Sequence, residues 1–133
     1  MTLYRFLWQD FCDWGIEFSK VDKESIPELG AIYKESMKLL HPFMPFITEY
    51  IYQNLNGTEL ENSVSIMIMD YPTIKEVEKI DELDTAIEII TSIRRAKALI
   101  DLPNKKIAKA LILTTLPEWT KPYIQKLAKV ENV

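Results

Sequence analysis

Apolar residues recur at spacings of three and four along most of the sequence, and this helical period constrains the fold more than any other feature. It is continuous over 3–20 and 26–40, and a shorter run joins Ile47 to Leu55. A fourth helix begins loosely near Lys75 and is firm over 83–100. Proline or glycine separates the segments that follow residue 40, and we predict a mainly α fold in which helices form a bundle.

The first segment predicts a helix that is buried around most of its circumference. Its polar residues recur every four positions, and the remaining positions are mostly large and apolar. We therefore expect it near the middle of the bundle, with Trp8, Phe11 and Trp14 in the core and not as stacking platforms for bases. Cys12, between aromatic and acidic neighbours, is expected to be a small buried hydrophobe. Gly15 is unfavourable inside a helix, which indicates that another group approaches closely there.

The next two helices have clear boundaries in the sequence. Ser25 and Glu28 form a capping-box pattern, and Pro27 is tolerated in a first turn. Pro42 ends the helix at His41, which we expect to be a structural residue at the helix terminus. The third helix is expected to stop near Asn56 and Gly57.

The C-terminal part changes character. Residues 106–115 are rich in β-branched and aliphatic side chains and predict a strand, and Pro117 or Pro122 opens a last helix. The strand either pairs with 63–69 or belongs to a small α/β unit whose other strands lie elsewhere. We predict two domains, a helical bundle over 1–103 and a strand–helix appendage over 104–133, and the stop at Val133 suggests that the appendage is truncated.

Composition excludes several functions. A hydrophobic share of 47% is typical of a folded chain, and one Cys with one His can form neither an internal disulfide nor a closed zinc site. No apolar run approaches the roughly 18 residues of a membrane span, so we expect a cytoplasmic protein with no membrane partner and no metal. Neither a glycine-rich phosphate loop nor a Ser-His-Asp set is present, and we expect no catalytic residue in this segment.

Charge is distributed unevenly along the chain. Residues 1–91 have a net charge of −10 and residues 92–133 a net charge of +6, within a total of −4. Cations that pair with phosphates release counterions, so such a cluster is typical of nucleic-acid binding. A solvated helix end, where basic residues complement the helix dipole, predicts the same pattern equally well. The cluster consists of Arg94, Arg95, Lys97, Lys105, Lys106 and Lys109.

Four motifs in order carry a resemblance to a known family. Phe11-Cys12-Asp13-Trp14 and the segment from Leu40 to Glu49, which reads LHPFMPFITE, resemble two hallmarks of the anticodon-binding domain in class I aminoacyl-tRNA synthetases for valine, isoleucine and leucine. The segment 65–72 and the segment 93–106 are most similar to the valyl-tRNA synthetase branch. The resemblance extends over roughly residues 3–131.

The resemblance implies a function for the chain and for a longer parent. The parent would attach valine to its tRNA with ATP and Mg, whereas this segment lacks the catalytic signatures and would bind the anticodon region. Its partners would be a valine tRNA and the catalytic domain of the same chain. We expect the six basic residues to contact the RNA backbone, with Arg5 and Lys20 as second choices. The alternatives are a helical protein-interaction module, or the equivalent domain of an isoleucyl- or leucyl-tRNA synthetase.

Overall fold

A computed structural model describes residues 2–57, 64–73 and 78–133. The chain divides into two compact units, Met1–Glu76 and Val77–Val133. The predicted domain boundary at residue 103 falls inside the second unit, because the helix before it packs on the last helix of the chain. Among the described residues, no helix combines the length and the apolar content needed to cross a membrane.

The first unit begins with a continuous helix, α1, that spans 2–19. It is α-helical over Thr2–Arg5, π-helical over Phe6–Gly15 and α-helical again over Ile16–Ser19. A Cβ atom on Gly15 would lie 3.2 Å from Leu29 Cδ2. The close approach expected at this glycine is therefore confirmed.

The prediction that α1 is buried around most of its circumference is wrong. Trp8 is 62% exposed and Tyr4 is 70% exposed, and Cys12 is exposed as well. Within the described part of the first unit, nothing covers this side of the helix. Phe11 does face inward, and its ring stacks on Tyr33 at a centroid distance of 5.2 Å. Only one side of the helix thus contributes to packing in this unit.

Helix α2 spans Ile26–Leu40, as predicted, but begins differently. Ser25 makes no capping hydrogen bond with its side chain, so the predicted capping box with Glu28 is absent. A 3₁₀ turn precedes the helix instead, and Asp22 Oδ1 accepts a hydrogen bond from the backbone N–H of Glu24 at 3.0 Å. Ser25 Oγ donates to the carbonyl of Asp22 at 2.8 Å, which fixes the same turn.

Helix α3 spans Pro45–Asn56 and ends at Gly57, whose φ of 64° is the left-handed conformation that glycine favours. This end confirms the prediction. His41 ends α2, and its Nδ1 lies 2.8 Å from Thr48 Oγ1. The single histidine therefore joins the ends of two consecutive helices, which is the structural role expected for it.

The core of the first unit lies where α2 and α3 meet the 3₁₀ turn Ile66–Ile68. The buried residues are Met37, Tyr52 and Ile66. They pack against partly buried side chains from α1, α2 and α3, namely Leu7, Tyr33, Leu40 and Ile51.

Hydrogen bonds to Glu49 connect this turn to α3. Its carboxylate accepts hydrogen bonds from Ser65 Oγ at 2.9 Å and from the backbone N–H of Ile66 at 3.1 Å. Burial alone would raise the pKa of Glu49, but the hydrogen bonds from Gln53, Ser65 and Ile66, together with nearby His41, lower it overall. The ionised carboxylate is therefore the form that holds the turn.

The second unit combines two helices and a small sheet. Helix α4 spans Asp81–Leu99 and helix α5 spans Lys121–Ala128 after a 3₁₀ turn over Glu118–Thr120. Lys75, where the fourth predicted helix begins loosely, lies outside the described residues. The buried side chains of this unit include Ala86, Ile90, Thr120, Ile124, Leu127 and Val130.

The sheet has two strands, β1 over Ile107–Lys109 and β2 over Val130–Asn132. They pair in parallel, with Ile107 opposite Val130. The alternative pairing with 63–69 is wrong, because Ile66–Ile68 forms a 3₁₀ turn; residue 63 lies outside the described residues. Parallel strands need a crossover connection, and α5 supplies it.

Candidate nucleic-acid interface

The C-terminal end of α4 contributes three predicted RNA-binding residues, and two of them contact the end of α5. Arg94 Nε donates to the carbonyl of Leu127 at 3.0 Å, and Lys97 Nζ donates to the carbonyl of Ala128 at 3.1 Å. These are carbonyls of the last helical turn, which have no partner within the helix itself. Both cations therefore complete the end of a helix, and the negative end of its dipole favours them.

Lys97 is the clearest departure from the predicted site. Only 1% of the residue is exposed, so its ammonium is not on the surface of this unit, where an RNA phosphate could reach it. Burial lowers the pKa of Lys97, and the nearby charges of Lys129 and Arg94 lower it further. The prediction that Lys97 contacts the RNA backbone is corrected to a structural role, because sequence spacing does not reveal which face of a helix another element covers.

The other four basic residues of the predicted cluster lie on the surface of the second unit. Arg95, Lys105, Lys106 and Lys109 are exposed, and they form no ion pair within the described part of the chain. Lys109 ends β1, opposite Asn132. It also lines a cavity of about 430 Å³ together with Lys121 and Glu118. These four cations are able to pair with external anions.

The two secondary choices belong to the first unit and already have partners. Arg5 Nε donates to Gln9 Oε1 at 3.1 Å, and Lys20 forms an ion pair with Glu17. Arg5 is exposed on α1 and Lys20 is exposed directly after it, where such pairs contribute little to stability and exchange readily with other partners.

The structure reveals an exposed aromatic pair on α1, and one of its members, Trp8, was predicted to lie in the core. Tyr4 and Trp8 are one helical turn apart, and their rings lie parallel within 3° at a centroid distance of 6.3 Å. With Thr2, Arg5 and Gln9 they line a depression of about 420 Å³. The four-residue spacing puts these rings together, but the sequence offered no signal that this side of the helix is exposed.

Lys129 is a second feature absent from the predicted site. It follows α5, and the backbone N–H of Ile107 donates to its carbonyl at 3.0 Å. This bond brings Lys129 beside the basic loop that follows α4, although some twenty residues separate them in sequence. Only its inclusion in the basic C-terminal third could have indicated a role.

Comparison with known proteins identifies the class of this chain. Residues 1–112 match the family model described as the anticodon-binding domain of tRNA ligase. The chain belongs to this family of anticodon-binding domains, and its mainly α architecture agrees with that membership.

Valine–tRNA ligases are among its curated relatives. The enzyme of Nitratiruptor sp. is 61% identical over 134 residues, which covers 99% of this chain and 15% of the relative. That of Campylobacter jejuni strain RM1221 is 62% identical over 115 residues, covering 84% of this chain and 13% of the relative. That of Helicobacter pylori strain J99 is 48% identical and covers 98% of this chain and 16% of the relative. The chain thus spans about one seventh of the length of these relatives.

Proposed function

We propose that this chain is the tRNA-binding segment of a valine–tRNA ligase and binds the anticodon region of a valine tRNA. The observation that carries the proposal is the similarity of nearly the whole chain to enzymes of that name, together with the family match over residues 1–112. The parent would attach valine to tRNA at the expense of ATP, with Mg, in domains outside this segment, and would work in the cytoplasm. The segment itself contributes binding.

The exposed cations of the second unit support an electrostatic contribution to this binding. Lys105 and Lys106 directly precede β1, Lys109 is its last residue, and Arg95 comes before them on α4. Each cation that neutralises a phosphate releases a counterion, so the affinity should fall steeply as salt is added. Base recognition would then come from unpaired anticodon bases, which are the readable part of a folded RNA.

The proposal is tested by measuring the binding of fluorescent tRNA transcripts to the 133-residue chain over a range of salt concentrations. A valine tRNA should bind more tightly than the same transcript with an altered anticodon, and more tightly than an isoleucine tRNA. Absence of tRNA binding at low salt would refute the proposal. Equal binding of all transcripts would refute the anticodon specificity.

Charge reversal tests the electrostatic part. Arg95→Glu combined with Lys105→Glu should weaken binding and reduce its dependence on salt. Arg94 is not suitable for this test, because its contact with Leu127 also supports the fold. A matched control reverses two lysines of the first unit, Lys23 and Lys34, and we expect it to bind tRNA as the unchanged chain does.

A further inference from the structure

Lys129 has a backbone conformation that a lysine rarely adopts. Its φ of 54° and ψ of 57° are left-handed, at the position after a helix where glycine is the usual residue. Only glycine reaches this conformation without steric strain. Glycine would form this turn without strain. The presence of a lysine here therefore indicates that its side chain has a function.

The contacts of Lys129 fix both its backbone and its side chain. The carbonyl accepts from Ile107 at 3.0 Å, and Nζ donates to Asn104 Oδ1 at 3.2 Å. An ammonium group has three donors, and this contact uses one of them. The residue is exposed, so the remaining donors can reach an external acceptor.

Lys106 lies at the neighbouring position of the sheet. Ile107 pairs with Val130, so the residues that precede them, Lys106 and Lys129, come side by side at the start of the two parallel strands. Neither lysine forms an ion pair with any carboxylate that the structure describes. The acidic residues closest in sequence are Asp101 and Glu131, and neither forms an ion pair with Lys106 or Lys129.

Lys106 and Lys129 are adjacent cations that form no ion pair with a carboxylate among the described residues. Asn104 Oδ1 accepts a hydrogen bond from Lys129, whose backbone is strained. This arrangement has the chemistry of an anion-binding site. We propose that Lys106 and Lys129 together bind a phosphodiester group of the RNA backbone, with Asn104 orienting the Lys129 ammonium. This site rests on the proposed tRNA-binding function and deepens it. Lys97 and Arg94 act as positioning residues, because they hold the carbonyls of 127 and 128, directly before Lys129.

The test exploits the left-handed backbone. Lys129→Gly removes the charge and also removes the steric strain of the left-handed backbone. We expect the midpoint of urea unfolding to be unchanged or raised. The valine tRNA should bind at least about threefold more weakly at low salt, and the slope of log K against log salt should decrease in magnitude by about 0.7–0.9. Lys106→Gln combined with Lys129→Gly should change the slope by no more than this, because the two lysines neutralise a single phosphate.

The matched control is Lys79→Gln, which removes one positive charge at the opposite end of α4. Lys79 is already paired with Asp81 and Asp84, so the variant should bind tRNA with an unchanged slope. If the unchanged chain binds tRNA but both Lys129→Gly and the double variant keep its affinity and slope, the phosphate site is refuted and the proposed function stands. If the unchanged chain binds no tRNA, the proposed function fails and this inference fails with it.

Discussion

Truncation of Lys97 should destabilise the second unit, and the structure allows its magnitude to be worked out. Lys97→Ala removes three buried methylenes, each contributing about 0.8 kcal/mol, or roughly 2.4 kcal/mol in all. It also leaves the carbonyl of Ala128 without its donor, at about 1–3 kcal/mol. The variant no longer buries an ammonium group, and this gain offsets part of the loss. We expect a net decrease in the free energy of unfolding of about 2–4 kcal/mol.

A second variant separates the packing of the side chain from its charge. Lys97→Met keeps most of the apolar volume and removes the ammonium, so it should recover about 2 kcal/mol relative to Lys97→Ala. Urea titration followed at the indole N–H signal of Trp119 by NMR reports on this unit, since the other tryptophans belong to the first. Lys105→Ala, at an exposed position, is the control and should change stability by less than about 0.5 kcal/mol.

The dependence on pH provides an independent check. The folded-state pKa of Lys97 lies below its ordinary value of 10.5, so the unfolded chain binds more protons between the two pKa values. Stability should therefore rise as the pH increases through this window, and this component should be missing from Lys97→Met. If Lys97→Ala were as stable as the unchanged chain, the burial of this lysine would be refuted.

Three further predictions concern the first unit. Glu49→Gln should reduce stability at pH 7 by about 1.5–3 kcal/mol, because hydrogen bonds to an ionised group are lost. The depressed pKa of Glu49 makes its contribution complete above the ordinary value of 4.5 and lost as the pH falls through the folded-state pKa. Urea unfolding of the variant and of the unchanged chain should therefore converge once the pH is below that folded-state pKa. Gly15→Ala should stabilise the helix by about 0.5–1 kcal/mol in a Leu29→Ala background, where the Leu29 side chain no longer crowds the new Cβ. The gain should be smaller in the unchanged chain. Additive effects of the two substitutions in a double-mutant cycle would contradict the close contact. Cys12 should react with Ellman's reagent in the native protein, and a reaction that required denaturant would contradict its exposure.

Local sequence signals predicted the helices well because their causes lie within a few residues. The period of α2 from Ile26 to Leu40, and the stop of α3 at Gly57, follow from side-chain spacing and backbone preference. The family was also evident from the sequence, because four motifs occur in the expected order. The 3₁₀ turn before α2, which Asp22 caps, was missed because Asp22 and Ser25 are both capping residue types within one short segment.

The candidate site was only partly predictable, because exposure and pairing depend on what packs from elsewhere in the chain. The sequence by itself determined the positions of the helices, the family and the basic character of the last third. Tertiary structure decided that Trp8 and Cys12 are exposed, that Lys97 is buried, and that Lys129 lies beside Lys106. The physical reason is that periodicity marks a face as apolar or charged within one helix, whereas a side chain's burial and neighbours are set by elements distant in sequence.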